Sequence, residues 1–316
     1  MKKALLLILF MPFVFSKEIT KSYNNFYKNK SSLSIAEIKK LQNTKIILIP
    51  GILFETFHED DQRTELGFSK LVGNYLQRPL DFFPKKYKLE TQRLSTSSSS
   101  LEETKRNIEL SLKTNKEVVF ITHSLGGLVL LDYLLDNRDK AEKIKGIIFL
   151  QSPFHGSPMA DIYRENPFYI RSLLKNILPF FNTTEEVIDY LSVEKRSIYM
   201  EKRDFEIKEI LKEIPSITVG TVANNSLSLF HAAVNIMKDG CMNPIFSKCP
   251  ILSLYKGEKD FSDGMVPLES SKLEGADFIK IHEVDHGETV VDIPFMSIEQ
   301  NLMYESLLKA LTQKFR

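Results

Sequence analysis

A chain of 316 residues, 43% of them hydrophobic, can bury one large α/β domain or two small ones. Charged residues make up 26% and the formal net charge is +1, near the balance of ordinary globular proteins. There is no basic stripe with interleaved aromatics, which argues against nucleic acid as a partner.

The chain opens with "MKKALLLILFMPFVFSKE". Lys2 and Lys3 form a positive n-region, Ala4 to Ser16 is uncharged, and Val14-Phe15-Ser16 puts small residues at a cleavage site. The 13-residue apolar run is short for a membrane span of about 20. Residues 1–16 therefore read as a signal peptide rather than an uncleaved anchor, and the product as periplasmic or secreted. Its removal takes away two lysines and no acids, moving the formal charge from +1 to −1. No cysteine near the site supports a lipid-anchored N-terminus. Export permits disulfides, so Cys241 and Cys249, with seven residues between them, are expected to close a local loop; two reduced thiols are the alternative. Two cysteines without nearby histidine offer too few ligands for a metal site.

After the signal, "EITKSYNNFYKNKSSLS" reads as an irregular lead-in. "KIILIPG" (45–51) is a buried strand entering a loop, and "KYKLETQRL" (86–94) is a candidate second strand. A helix follows, with Ser100 as N-cap and Glu103 at the capping-box position. "EVVFITHS" is a strand, "GGLVLLDYLLDNRDKAEK" a helix and "IKGIIFLQSP" a third aliphatic strand. This alternation implies a mostly parallel sheet with helical crossovers. From Met159 to Ile214 the pattern changes to successive amphipathic helical segments, an insertion between core elements. Strands resume at "SITVGTVA" and "PILSLYKG", flanking a second insertion at about 224–249. "ADFIKIHEVDH" is a last strand, and a C-terminal helix follows.

The stretch "VVFITHSLGGLVLLDYLL" sets a strand directly against a helix, with Ser124 on the turn between them. Ser-x-Gly alone means little, since Ser262-Asp263-Gly264 also matches. A turn this tight strains its central residue and pushes the side chain out, and the helix N-terminus offers N–H groups to a developing oxyanion. A serine capping an ordinary crossover helix is the plainer reading. Gly126 and Gly127 let strand and helix pack closely, but Thr122 stands where the G-x-S-x-G pattern has its first glycine.

Four segments together resemble the α/β-hydrolase superfamily, in its bacterial esterase and triacylglycerol-lipase branch. "IPGILF" resembles the oxyanion loop, and "THSLGGLVLLDYLL" the nucleophile turn and its helix. "LQSPFHGSPMADI" resembles the segment after the next strand; "DGMVPLESS" and "DHGE" resemble the acid and base loops. Their order, Ser then Asp then His, is the order of that fold. The resemblance implies one α/β-hydrolase domain over 17–316, with a helical cap or lid at about 159–214.

In that frame Ser124 is the nucleophile and needs a histidine base within reach. His286, in the loop after the last strand, is where the family's base sits and is preferred to His282. Next to the nucleophile, His123 points its side chain away. His155 reads as structural on the site rim, His231 falls in an insertion, and His58 lies in a loop. The orienting acid is Asp263, in an Asp-Gly-x-Val-like setting 23 residues before His286, with Asp260 as the alternative. The oxyanion donors are the N–H groups of Leu125 and of Ile52, with Leu53 next to it; Pro50 stands where many lipases have histidine.

The apolar residues of 168–181 suit an acyl pocket or a lipid-facing lid, or simply bury against the core. The reading is therefore an exported serine hydrolase of lipid or acyl esters that makes transient contact with a lipid surface and has no obligate protein partner. Phospholipase and acyltransferase remain open on the same machinery, as does an inactive relative that binds lipids or a partner. No cofactor is expected, since no dinucleotide loop or P-loop is present. Calcium is not expected either, because Gly287-Glu288 follows His286 where some relatives carry an aspartate.

Overall fold

The computed structural model describes residues 16–52, 74–97, 100–165, 183–223, 262–292 and 297–315. Its centre is a six-stranded sheet of β1 (Thr44–Ile49), β2 (Glu90–Arg93), β3 (Glu117–His123), β4 (Ile144–Leu150), β5 (Ser216–Val222) and β6 (Asp277–His282). The order is β2-β1-β3-β4-β5-β6 and every neighbouring pair is parallel. Strands β1, β3, β4 and β5 are aliphatic runs buried on both faces, the signature of a sheet covered on both sides. The strand "PILSLYKG" and the second insertion lie outside the described residues.

Helices flank the sheet: α1 (Thr20–Lys28), α2 (Ile35–Leu41), α3 (Gln77–Tyr87), α4 (Leu101–Ser111), α5 (Leu125–Asp136), α6 (Pro158–Glu165), α7 (Glu185–Leu191), α8 (Val193–Glu213) and α9 (Gln300–Thr312). Every residue of α5 from Leu125 to Leu135 is buried, because β3 lies under it and α4 and α8 lie beside it. Helix α9 packs on β4, where Gly146 lets Leu311 and Phe315 come close, and it also touches α1, α2 and α3.

Several expectations are corrected. The lead-in is not irregular: α1 buries Tyr23 and half-buries Phe26 and Tyr27, an i, i+3, i+4 stripe of aromatics facing α9. Helix α2 carries a complete capping box between Ser34 and Glu37, a signal present in the sequence as S-I-A-E. The region between β1 and β2, expected as a loop, contains α3. Pro84 cannot donate to the Leu80 carbonyl, and Thr91 Oγ1 donates to it instead at 2.8 Å. The helix after Ser124 also ends earlier than expected, at Asp136, and a 3-10 turn (Arg138–Lys143) follows. Ser100 does cap α4, accepting from the Glu103 N–H.

Residues Lys17–Ile19 run beside β6. The Ile19 N–H donates to the Phe278 carbonyl and the Phe278 N–H to the Lys17 carbonyl, each at 2.9 Å.

The helical segment 159–214 is α6, α7 and α8, with 166–182 outside the described residues. Its break falls at Ser192, which caps α8. Arg196 of α8, only 1% exposed, is clamped against α5. It lies over the rings of Tyr190 and Tyr199, donates to the Phe154 carbonyl and pairs with Asp132 at 3.5 Å.

Candidate active site

In open parallel sheets, ligands bind beyond the carboxyl ends of the strands, where the order reverses. Here the reversal lies between β1 and β3, whose next strands run to opposite sides. The loops leaving those two strands meet: a Cβ on Gly51 would stand 2.8 Å from Ser124 Cβ and 3.0 Å from the Tyr75 hydroxyl. Only glycine permits that approach.

Ser124 sits between β3 and α5 with φ 52° and ψ −127°, a conformation disfavoured for any residue with a side chain. Its N–H continues the ladder to the Leu150 carbonyl at 2.9 Å, and its side chain does not cap the helix. The plain capping role therefore does not describe it. Gly126 and Gly127 are both required. A Cβ on Gly126 would meet the Pro50 carbonyl at 2.4 Å, and one on Gly127 would meet Ser152 Oγ at 2.0 Å and Thr122 Oγ1 at 2.9 Å. The second glycine thus supplies the room that Thr122 occupies. Thr122 is fully buried and its hydroxyl has no hydrogen-bond partner among the described residues.

The segment after β5 carries Asp263, 1% exposed. Its Oδ1 accepts the N–H groups of Met265 and Val266 at 2.9 and 2.7 Å, and Gly264 makes the turn at φ 102°. Oδ2 faces His286 Nδ1 at 2.8 Å, and the His286 N–H donates to the Asp263 carbonyl at 3.0 Å. Side chain and backbone both lock the two loops together. His286 is 3% exposed, and its ring lies 4.6 Å from that of His123, beside the strand end that bears Ser124. His282 is exposed on β6 and His155 is exposed in its loop. Asp260, Leu53, His58, His231, Cys241 and Cys249 lie outside the described residues.

Asp285 pins the base loop from within: its Oδ1 accepts the N–H groups of Gly287 and Glu288. Glu288 accepts in return from the N–H groups of Asp285 and Ser297, both at 2.9 Å. Burial raises the Glu288 carboxyl pKa above the usual range, and those two donors oppose the rise. Among the described residues no group of three or more His, Cys, Asp or Glu could hold a metal ion, and no helix is long and apolar enough to cross a membrane.

His123 is a buried hub. Its Nδ1 faces the Tyr75 hydroxyl, which accepts the Gly51 N–H at 3.2 Å. Its Nε2 faces Gln151 Oε1 and the His286 carbonyl, each at 3.0 Å. Both partners on that side are acceptors, which assigns the ring proton to Nε2 and leaves Nδ1 to accept from Tyr75. Burial, and secondarily the neighbouring His286, holds the His123 pKa well below the usual histidine range; burial raises that of Tyr75, keeping its proton in place. The reading of the sequence foresaw a packing role for His123 but gave no part to Gln151, Tyr75 or Thr289. A glutamine closing a fully buried strand in "IIFLQSP" was the available signal.

Opposite this polar side lies an apolar cavity at Ser124, walled by Ile52, Pro153, Met159, Tyr163, Leu191 and Met265 among others. Ile52 is part of that wall, and the Leu125 N–H is the first of α5, free of any intrahelical partner.

A sequence model of the lecithin:cholesterol acyltransferase family matches residues 93–163, which run from the end of β2 through the Ser124 turn to α6. No curated protein sequence matches the chain. Among solved structures, a metagenomic carboxyl esterase superposes with a TM-score of 0.61 at 14% identity, over 90% of this chain and 78% of its own. This chain has the α/β-hydrolase fold. The mature form of Bacillus licheniformis lipase BlEst2 gives 0.56 at 14% identity, over 84% of this chain and 91% of its own. Lipase 1 of Pelosinus fermentans gives 0.51 at 11%, over 87% and 100%. At these identities the likeness is one of fold: the chain resembles lipases and esterases in architecture.

Proposed function

We propose that the protein is an exported serine hydrolase of carboxylic esters with an apolar acyl group, acting through Ser124, His286 and Asp263. The observation that carries this reading is the buried His286–Asp263 pair beside the strained Ser124 turn. Ser124 Oγ attacks the acyl carbonyl while His286 Nε2 takes its proton, and Asp263 holds Nδ1–H and stabilises the imidazolium. The N–H groups of Leu125 and Ile52 receive the oxyanion. His286 then returns the proton to the leaving alcohol, and a water activated by the same histidine releases the acid. The apolar cavity beside Ser124 supports an acyl chain as the bound group, and a lipid surface is the source from which such esters come.

One observation favours a second reading. The family model that matches around the nucleophile turn describes an acyltransferase, so an alcohol acceptor in place of water fits the same acyl-enzyme. A fluorophosphonate probe and a panel of esters of rising acyl length test the first reading. Wild type should be labelled and turn over esters, and Ser124→Ala should do neither; an unlabelled wild type, or a Ser124→Ala variant labelled equally, refutes it. Adding a long-chain alcohol separates hydrolysis from transfer by the ratio of acid to new ester formed.

A further inference from the structure

Behind the nucleophile turn lies a polar system that ester cleavage does not by itself demand. Gln151, directly after β4, is completely buried and held at φ 49°, a strained backbone for a residue with a side chain. Its amide Nε2 donates to the Asp285 carbonyl at 3.0 Å and to the Thr221 hydroxyl. Its Oε1 accepts from the Thr289 hydroxyl at 2.6 Å and from His123 Nε2 at 3.0 Å. The Asp285 carbonyl can only accept, so the orientation of the amide is fixed. Both donors and both acceptor positions of Gln151 are in use.

The partners matter more than their number. Asp285 immediately precedes His286, and Thr289 follows it by three residues. His123 immediately precedes Ser124, donates also toward the His286 carbonyl, and through the Tyr75 hydroxyl reaches Gly51 of the first loop. Nucleophile, base loop and first loop thus share one anchor. A fully buried polar group adds little net stability over an apolar residue of the same shape, but its bonds are directional. Apolar packing would hold these loops together without fixing where they stand.

We infer that Gln151 is a positioning residue that sets the place of His286 relative to Ser124, with His123 as the shared anchor. The inference rests on the reading of Ser124 and His286 as nucleophile and base. Gln151→Met keeps the length of the side chain and removes its hydrogen bonds. Steady-state kinetics on a short soluble p-nitrophenyl ester, the rate of fluorophosphonate labelling, and thermal unfolding should be measured together on the full chain. A misplacement of about 1 Å predicts a fall in kcat of roughly 10- to 100-fold. KM should stay within about twofold and labelling should slow in step with kcat, while the protein stays folded at the assay temperature. An unchanged kcat overturns the inference, and so does a loss that merely follows the unfolded fraction. Should Gln151→Met fail to fold, Thr289→Val decides, because it removes one of the four bonds and leaves Gln151 in place: kcat should fall with KM held, and an unchanged kcat overturns the inference. Where both fold, the double variant should lose no more than Gln151→Met alone, since both break one link; losses that multiply overturn the shared anchor. A wild type inert to the probe overturns the reading of Ser124 itself, a result distinct from an active wild type that Gln151→Met equals.

Discussion

The polar network and the apolar cavity that flank Ser124 are specified in different ways. On one side, Asp263, His286, His123 and Gln151 each hold a named partner through a directional bond, and the loops carrying them are tied by backbone bonds as well. On the other, Met159, Ala160, Ile188 and Leu191 contribute bulk and shape. A small displacement on the polar side costs a bond, whereas a small change of shape on the apolar side leaves every bond in place. Chemistry is expected to be exacting where bonds are directional, and substrate choice to be adjustable where only shape counts.

The largest effect that would break this contrast lies at Asp263. Asp263→Asn keeps the shape of the site but no longer holds the imidazole in its working form, and should lower kcat by about 10⁴-fold in steady-state assays. A loss under tenfold would move the acid elsewhere, with Asp260→Asn as the next variant to measure.

Next is Ala160 of α6 on the apolar wall. Ala160→Leu should reduce kcat/KM for longer acyl esters by about 10- to 100-fold relative to acetyl esters, since a few methylenes are at stake. If every chain length fell equally, the wall would not be reading shape.

A smaller effect concerns protons on the polar side. His123 is neutral in the folded chain because burial depresses its pKa, while in the unfolded chain it titrates near 6.5. As pH falls below about 6.5 the unfolded chain binds a proton that the folded chain refuses, so the stability contribution present above that pH is lost. Urea unfolding of wild type should weaken between neutral and acidic pH, and His123→Asn should show a shallower slope. Equal slopes would mean that His123 is charged in the fold.

The smallest effect sharpens the contrast through its exception. Thr122 lies on the polar side, and its hydroxyl has no partner among the described residues. Thr122→Val should keep the fit against Gly127 and stabilise the fold by about 1 kcal/mol, read from the urea midpoint. A destabilised variant would show that the hydroxyl has a partner after all.

The parts of the molecule legible in the sequence are those fixed by neighbours along the chain. The aliphatic runs of β1, β3, β4 and β5, the Ser100 cap and the abrupt strand-to-helix junction at Ser124 are all local. Asp263 and His286, which the fold brings into contact, were marked in the sequence by an Asp-Gly-x-Val-like context and by a place just past the last strand. The helices that were missed, α1 and α3, carry Asn25 and Pro84 in their interiors; α1 packs on α9 from the far end of the chain, and Thr91, 11 residues beyond Leu80, takes up the carbonyl that Pro84 leaves free. Gln151 has one partner, His123, 28 residues away and another, Thr289, 138 residues away, so nothing near it in sequence marks its role. Thr122 shows a middle case: the missing glycine is visible in the sequence, but its compensation by Gly127 requires knowing that the two face each other.

The two outer strands of the sheet meet the same hazard in unlike ways. An unpaired strand edge is a template for joining another molecule. On one side β2 is four residues long, and Glu90 holds both Lys45 and Lys116, so the rim is short and charged. On the other, Asp277 of β6 pairs with Lys314, and Lys17–Ile19 takes up the backbone bonds of Phe278 and leaves fewer for a stranger. Trimming those few residues would remove little buried surface, yet it would open a row of backbone groups to self-association. The lead-in that read as irregular thus covers part of an open edge.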